Sequence, residues 1–148
     1  MRQLSNMLVL ATQRHDGKFD KGGMPYILHP LKVMHYLRTD DEELQCIALG
    51  HDLIEDTFSC MSEGVAFLNS RGFSERVILG ICALTKIDVQ TYDRYKELVK
   101  ANHDAVLVKM ADLRHNSDIR RLKGVTQKDI ERVERYHRFY LELQEVAK

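Results

Sequence analysis

Tryptophan is absent from the sequence, proline occurs only twice, and there is no formal net charge, because Lys plus Arg and Asp plus Glu number 22 each. A neutral chain has no overall field that would steer it to nucleic acid or to an anionic membrane, so we expect neither as a partner. Apolar runs are short, and none approaches the roughly 18 residues that a membrane-spanning helix needs. With 30% charged and 44% apolar residues, the composition is that of a globular protein.

Cysteine is also scarce. The three cysteines, Cys46, Cys60 and Cys82, are odd in number, widely spaced and flanked by apolar residues. This pattern favours buried free thiols in a reducing compartment over disulfides or a thiolate metal site. The N-terminal apolar stretch is interrupted by Asn6 and lacks the small-residue cleavage site of a secretory signal. We therefore expect it to form the first helix of a cytoplasmic protein.

Strand patterns are nearly absent, whereas apolar residues recur with helical spacing along most of the chain. The pattern predicts a first helix around Leu4 to Ala11, a glycine-rich loop, and a second helix with Pro30 in its first turn. Asp40 or Asp41 is expected to cap a third helix that continues through residue 56. Further helices are predicted over 60–71, 74–85, 91–101, 104–119 and from the capping box at Thr126 to the C-terminus. The expected fold is all-α, a compact multi-helix bundle forming one domain over residues 1–148.

An unusual group of ionisable residues ends the third predicted helix. His51, Asp52, Glu55 and Asp56 lie within six residues, and no lysine or arginine occurs between residues 39 and 70. On a continuous helix these carboxylates would be one turn apart at the negative end of the helix dipole. Like charges at this spacing repel by roughly 0.2–0.5 kcal/mol per pair, and a bound cation would relieve the repulsion. The alternative is a solvated acidic helix end, but the apolar residues between the charges favour a half-buried metal site.

Two distant residues are candidates to complete a metal site with His51 and Asp52. His29 directly precedes Pro30, which restricts the backbone, and Asp112 follows an apolar run on a predicted helix. Each alone is more typical of a structural role. Together the four side chains form a two-His, two-Asp set that suits one divalent ion, with Mn²⁺, Fe²⁺, Co²⁺, Ni²⁺ and Zn²⁺ as candidates. Four ligands on a five- or six-coordinate ion leave positions open for catalysis.

Three sequence blocks carry a resemblance to a known family. HDGKFDKGGMPYILHP, GHDLIEDT and VKMADLRHNSD resemble the three blocks of the hydrolase domain of RelA/SpoT-type enzymes, within the HD phosphohydrolase superfamily. The resemblance covers almost the whole chain, whose length is similar to that of the stand-alone small alarmone hydrolases. It implies removal of the 3′-pyrophosphate of (p)ppGpp, which yields GDP or GTP and pyrophosphate, usually with Mn²⁺.

The resemblance also implies roles for individual residues. It makes His29, His51, Asp52 and Asp112 the metal ligands, and Glu55 and Asp56 the acidic pair that handles the attacking water. Lys21, Tyr26 and Asn116 fall at positions that shape the nucleotide pocket. From its own position one turn before Asp112, Lys109 is a further candidate to contact phosphate; Lys86, Arg114 and Arg120 are other available cations. A homo-oligomer is compatible with the sequence. His15 and His115 are expected to pack inside the fold, and His35, His103 and His137 to lie at the surface.

Two positions depart from the family pattern. Asp20 stands where the family has an arginine that packs on the guanine base, and an acid there would repel a phosphorylated ligand. Leu113 replaces the arginine that usually follows the metal-binding aspartate, with Arg114 one place later. Hydrolysis of another nucleotide phosphoester therefore stays an alternative, as do a catalytically silent nucleotide-binding protein and a metal-stabilised scaffold.

Overall fold

The computed structural model describes residues 2–148 and is helical along most of its length. The α-helices are α1 (Arg2–Arg14), α2 (Leu28–Leu37), α3 (Glu42–Gly50), α4 (Leu53–Thr57), α5 (Met61–Ser70), α6 (Glu75–Ala83), α7 (Tyr92–Lys100), α8 (His103–Asn116) and α9 (Gln127–Ala147), with a 3₁₀ turn at Ile119–Arg121. No β-strand occurs in this part of the chain, where Phe19 and Pro25 form an isolated bridge. The expected all-α class is confirmed. None of the helices within 2–148 has the length and apolarity to cross a membrane.

Side-chain caps account for most of the predicted helix starts. At each of these caps a side-chain oxygen accepts hydrogen bonds from backbone N–H groups of the first turn, which have no partner inside the helix. The capping residues are Asp41, Ser74, Thr91, Asn102 and Thr126. At Thr126 the capping box is complete, because Asp129 also accepts from the Thr126 backbone. These local signals explain why the starts near 42, 75, 92 and 127 were predictable.

The predicted third helix is wrong at its C-terminal end, because α3 stops at Gly50 and a turn at residues 51 and 52 precedes α4. The helix ends where α1 and α6 approach closely: a Cβ on Gly50 would lie 2.8 Å from the Ile81 Cδ1 and 3.0 Å from the Met7 Cε. As a result, Glu55 and Asp56 belong to the first turn of α4, not to the negative end of a longer helix.

The predicted helix over 104–119 also ends early, at Asn116. The side chain of Asp118 accepts a hydrogen bond from the Arg120 backbone N–H, and this contact starts the 3₁₀ turn. A side chain that offers the backbone a local partner competes with helix continuation in this way.

Helix α3 lies at the centre of the bundle and contacts α1, α2, α6 and α8. Cys46, Ile47, Ala48 and Leu49 are fully buried along it. Helix α8 packs between α2 and α9. This arrangement brings the first turn of α2, the end of α3 and the middle of α8 together, and these are the segments that carry the four predicted metal ligands.

The cysteine prediction holds only in part. No disulfide forms within the described residues; Cys46 is buried and Cys82 half-buried, but Cys60 is exposed. Cys60 is the residue that precedes α5 at the surface, and its Sγ lies 3.2 Å from the Ser62 Oγ. Of its two neighbours in the sequence, Ser59 and Met61, only Met61 is apolar, so the local pattern was too weak to predict burial.

Leu113 has a packing role that explains why no arginine stands there. Its side chain is 1% exposed in the core, whereas the next residue, Arg114, is exposed and its guanidinium lies 4.1 Å from the centre of the Tyr36 ring. A charge at position 113 would be buried in apolar surroundings at high cost.

The burial of Leu113 leads to a test. We expect Leu113→Ala to lower the free energy of unfolding by about 2–5 kcal/mol, because it leaves a cavity in the core, as measured by urea denaturation. Leu141→Ala is the matched control, since Leu141 is 46% exposed on α9 and should cost no more than about 0.5 kcal/mol. Equal losses in both variants would contradict the placement of Leu113.

Candidate metal centre and adjoining cavity

The four predicted metal ligands converge although they are far apart in the sequence. His29 lies in the first turn of α2, His51 and Asp52 form the turn between α3 and α4, and Asp112 lies on α8. The His29 Nε2 is 2.9 Å from the Asp112 Oδ1, and the His51 Nε2 is 3.3 Å from the same oxygen. The Asp52 Oδ2 lies 3.0 Å from the His51 Nε2 and 3.7 Å from the His29 Nε2. One potential ligand atom each from His29, His51 and Asp112 lies within 4.8 Å of the others.

The tautomer of His51 suits a metal ligand. Its Nδ1 lies 2.7 Å from the Ala48 backbone oxygen, which can only accept, so the Nδ1 carries the hydrogen. In the neutral ring the Nε2 then has a free lone pair. This buried nitrogen has no hydrogen-bond partner among the described residues, although it faces the Asp52 and Asp112 oxygens at 3.0 and 3.3 Å. A lone pair facing carboxylate oxygens is repulsive unless a cation lies between them, so the donor set fits a divalent ion.

The electrostatics of the cluster favour positive charge. Burial alone would lower the pKa of His51, but Asp52 and Asp112 raise it well above its usual range. Burial alone would raise the pKa of Asp52, yet His51 brings it down to about 2. Both carboxylates therefore remain ionised, and the space between them and the imidazoles attracts either a proton or a metal cation. A divalent ion held by neutral imidazoles and ionised carboxylates fits this preference.

Further side chains hold the candidate ligands in place. The Lys109 Nζ lies 2.8 Å from the Asp112 Oδ2, the Asn116 Nδ2 donates to the Asp112 Oδ1 at 2.9 Å, and the Tyr26 hydroxyl donates to the Asp52 Oδ2 at 2.6 Å. Lys109 is the strongest influence that keeps the pKa of buried Asp112 well below its usual range. Lys109, Tyr26 and Asn116 were predicted as substrate contacts, and that role stays a prediction; in the fold each binds a candidate metal ligand.

The predicted catalytic pair lies at the rim of the cluster. The Glu55 Oε1 accepts from the Lys86 backbone N–H at 2.8 Å, which connects α4 to the loop after α6. Partial desolvation is the main cause that raises the pKa of both carboxyls, and for Asp56, with the charges of Asp52 and Glu55 nearby, the pKa reaches about 6. A carboxylate with a pKa near neutrality can accept a proton efficiently at physiological pH.

A cavity of about 270 Å³ adjoins the cluster. Tyr26 and Asn116 connect the cavity to the cluster. Both residues line the cavity, and the Tyr26 hydroxyl binds Asp52 while the Asn116 amide binds Asp112. The other lining residues are Phe19, Asp20, Lys21, Gly22, Asp118, Arg121, Leu122, Arg132 and Tyr136. Lys21, Tyr26 and Asn116, the predicted pocket residues, therefore lie in one cavity wall beside the candidate metal site.

Asp20 does not present an unbalanced negative charge to this cavity. Its Oδ1 accepts from the Met24 backbone N–H at 2.9 Å and its Oδ2 lies 3.2 Å from the Arg121 Nη2. Partial desolvation would raise the pKa of Asp20, but the bonds from Met24 and Arg121 lower it below its usual value. Arg121 also donates to the His115 backbone oxygen and to the Asn116 Oδ1, each at 3.1 Å. The expected repulsion of a phosphorylated ligand by Asp20 is therefore offset.

Sequence reasoning missed Arg121 and drew attention to the neighbouring Arg120 instead. Arg120 is exposed and binds Asp118, whereas Arg121 faces the cavity. Residues 20 and 121 are 101 positions apart, so no local pattern connects them. The sequence shows two arginines, Arg120 and Arg121, shortly after Asp118, but it does not show which of the two side chains faces the cavity.

The remaining histidines divide as expected, with one exception. His15 is buried and packs on the ring of Tyr26, and burial lowers the pKa of His15 to about 4. His35, His103 and His137 are exposed. The exception is His115, for which only a role in helix packing was expected. Its Nδ1 lies 2.7 Å from the Nδ1 of His29, so it also contacts a candidate metal ligand.

Known proteins are similar to this chain in sequence and in fold. No family model matches it. A protein named GTP pyrophosphokinase rsh from Brucella ovis is 34% identical over 137 residues, covering 85% of this chain and 18% of that protein. Proteins named guanosine-3′,5′-bis(diphosphate) 3′-pyrophosphohydrolase are 28% identical in Borreliella burgdorferi and 30% in Haemophilus influenzae, over 78% and 73% of this chain. The chain spans less than a fifth of the length of these relatives, 18%, 18% and 17%.

A solved structure has the same fold. It is described as "A metazoan ortholog of SpoT hydrolyzes ppGpp and plays a role in starvation responses". The TM-score is 0.74 at 23% identity, with 97% of this chain and 85% of that chain covered.

A helical bundle that gathers an isolated histidine, a His-Asp pair and a distant aspartate around one point defines an HD-type domain. The sequence relatives narrow the assignment. Over most of its length this chain is similar to part of RelA/SpoT-type proteins, and its fold is that of the SpoT ortholog.

The cluster predicts stabilisation by a divalent ion. We expect Mn²⁺ at 100 times its dissociation constant to raise the free energy of unfolding by about 2.7 kcal/mol, because it binds only the folded state. A thermal melt should show this as a higher Tm that EDTA reverses. His51→Gln should remove most of the shift, whereas His35→Gln, at an exposed position on α2, should retain it. An identical shift in both variants would exclude His51 as a ligand.

Proposed function

We propose that this chain is a metal-dependent phosphohydrolase of phosphorylated nucleotides, with guanosine 3′,5′-bis(diphosphate) as the preferred substrate and GDP and pyrophosphate as the products. The observation that carries the proposal is the buried cluster of His29, His51 and Asp112, which has a cavity bordered by Tyr26 and Asn116 next to it and the acidic pair Glu55 and Asp56 on the following helix. In this proposal residues 1–148 act as one domain. The names of two relatives, which describe 3′-pyrophosphohydrolases of this nucleotide, support the choice of substrate.

The nitrogen and oxygen atoms of the cluster determine which kind of metal ion the site would hold. His29, His51, Asp52 and Asp112 would hold one divalent ion, for which we favour Mn²⁺ because nitrogen and oxygen donors are mixed. Such an ion would supply Lewis-acid activation to a phosphate group. Tyr26 and Asn116 bind Asp52 and Asp112, so they orient two of the proposed ligands from the cavity side.

The acidic pair supplies the proton acceptor. The pKa of Asp56, about 6, leaves its carboxylate mostly ionised at neutral pH yet basic enough to take a proton from an attacking water. Glu55 is oriented by the Lys86 backbone N–H, which fixes one of its two oxygens and leaves the other available. We propose that the pair together positions and deprotonates the water that attacks the phosphorus.

The cavity provides the surroundings for the nucleotide. Lys21 contributes an ammonium group to its wall, the guanidinium groups of Arg121 and Arg132 lie there paired with Asp20 and Asp129, and Phe19 and Tyr136 contribute aromatic surface. Cationic groups bind phosphate oxygens and aromatic rings stack on bases. A ligand with both parts, such as a nucleotide, is therefore the class that this lining fits.

The direct test measures pyrophosphate release from guanosine 3′,5′-bis(diphosphate) by the Mn²⁺-loaded protein. We expect Glu55→Gln and Asp56→Asn each to reduce kcat by roughly 10²- to 10⁴-fold, since each removes a group that handles the water proton. Metal content, measured in the same samples, should stay near that of the unmodified protein. Glu131→Gln, at an exposed position on α9, is the control and should leave kcat unchanged.

Each result has a consequence. If the unmodified protein releases no pyrophosphate from this substrate, the preferred substrate is wrong. If both acidic variants retain full turnover, the roles of Glu55 and Asp56 are wrong.

A second candidate is hydrolysis of a different nucleotide phosphoester. The observation that favours it is Asp20, an acid in the cavity wall whose charge is offset by Arg121. A panel of guanosine and adenosine mono-, di- and triphosphates, assayed beside guanosine 3′,5′-bis(diphosphate), separates the two candidates. Preference for a nucleotide without a 3′-phosphate would favour the second.

The Asp20–Arg121 pair gives a separate prediction. Arg121→Ala leaves Asp20 unpaired in the cavity wall, so we expect KM for the hydrolysed nucleotide to rise by roughly 10- to 100-fold. The double variant Asp20→Ala with Arg121→Ala removes both charges and should recover part of the loss. If the double variant is as weak as Arg121→Ala, Arg121 contributes more than neutralisation of Asp20; if Arg121→Ala changes nothing, the pair does not face the substrate.

A further inference from the structure

His29 and His115 form a contact that the proposed reaction has not used. Their Nδ1 atoms are 2.7 Å apart, and their ring centroids are 5.0 Å apart with an angle of 13° between the ring planes, so the two rings lie edge to edge and nearly coplanar. Two ring nitrogens at this distance need one hydrogen between them, because two lone pairs or two N–H groups would repel. The other nitrogen of His29, Nε2, lies 2.9 Å from the Asp112 Oδ1. His29 therefore contacts a polar group at each end of its ring.

The two histidines of the metal cluster have different partners at Nδ1. The Nδ1 of His51 contacts the Ala48 carbonyl oxygen, which can only accept, so the tautomer of His51 is fixed. The Nδ1 of His29 contacts the imidazole of His115. This imidazole can either donate or accept, because the His115 hydrogen can be on either ring nitrogen. The partner of His29 can therefore adapt to both tautomers of His29, whereas the partner of His51 cannot.

We propose that His115 is a positioning residue that sets the tautomer of His29 for metal binding, an inference that rests on the metal site of the proposed function. When the His29 Nε2 carries the hydrogen and donates to Asp112, the His115 Nδ1 donates to the His29 Nδ1. When the His29 Nε2 binds an ion with its lone pair, the His29 Nδ1 carries the hydrogen and the His115 Nδ1 accepts it. Each ring holds one hydrogen in both states. In the change from the first state to the second, the bridging hydrogen passes from the His115 Nδ1 to the His29 Nδ1, the His29 Nε2 gives up its hydrogen, and the His115 Nε2 takes one up from solvent. The buried hydrogen bond between the rings is kept throughout.

The surroundings of His115 hold it for this role. The Arg121 Nη1 donates to its backbone oxygen at 3.1 Å, and the Tyr36 ring meets its ring edge-on at 6.0 Å. His115 is half-buried, so its outward nitrogen can exchange hydrogen with water while its inward nitrogen stays on His29. Partners that orient a metal-binding histidine through its other nitrogen generally strengthen metal affinity.

The test measures metal affinity, not turnover. Zn²⁺ and Mn²⁺ are titrated into the full chain against a competing chelator. We expect His115→Leu, which keeps the bulk and removes both ring nitrogens, to weaken binding by roughly 10- to 100-fold. His115→Gln offers an acceptor and a donor and should recover part of that loss. His137→Leu, the matched change at an exposed position on α9, should bind as the unmodified protein does.

A second measurement does not depend on the variants folding. In the unmodified, Zn²⁺-loaded protein, long-range ¹H–¹⁵N correlations of the imidazoles should show the His29 hydrogen on Nδ1 and the His115 hydrogen on Nε2. A His29 hydrogen on Nε2 in the loaded state would overturn the proposal. So would unchanged affinity in His115→Leu, or equal losses in His115→Leu and His115→Gln.

The outcome can be separated from that of the proposed function. Weakened metal binding in His115→Leu, together with no hydrolysis of any nucleotide by the unmodified protein, would reject the function and support the role of His115. Hydrolysis of the nucleotide by the unmodified protein, together with unchanged metal affinity in His115→Leu, would support the function and reject the role of His115.

Discussion

A single buried carboxylate, that of Asp112, organises the centre of this protein. It is 3% exposed, and an ionised group so far from water is stable only if other groups compensate its charge and fill its lone pairs. Lys109, Asn116 and His29 supply that compensation, each within 2.9 Å of one of its oxygens. The bundle therefore places α2 and α8 where they can satisfy one acid.

That requirement also makes the cluster a metal-binding geometry. Lys109 neutralises one carboxylate, but Asp52 brings a second one within 3.0 Å of His51. The carbonyl of Ala48 fixes the tautomer of His51 and directs its lone pair to the same point. One more positive charge is needed there, and a divalent ion meets that need better than a proton because it can accept lone pairs from several donors at once. The charge balance that the core requires and the fit of the cluster to a cation have the same cause.

The sequence predicted those features that depend on local chemistry. Caps such as Asp41 and Thr126 act within one turn of their own helix, and the donor types of His29, His51, Asp52 and Asp112 indicated a common site before the fold was known. Features that depend on tertiary packing were missed. The break after Gly50 lies where Met7 and Ile81 approach the backbone, and Arg121 turns inward beside a partner 101 positions away. Periodicity reports neither feature, because the segments in contact are distant in sequence.

The early end of α8 shows how such a feature connects the cavity to the metal centre. The turn started by Asp118 brings Arg121 back to the Asn116 side chain and the His115 backbone oxygen. Asn116 binds Asp112 and His115 binds His29, so one guanidinium contacts the partners of two candidate ligands while it also binds Asp20 in the cavity wall. A straight helix through residue 119 would carry residue 121 onward along the helix axis, away from Asn116. Asp20 and the helix end at Asn116 are therefore two parts of one arrangement, in which a single guanidinium neutralises an acid of the cavity wall and supports the partners of two candidate metal ligands.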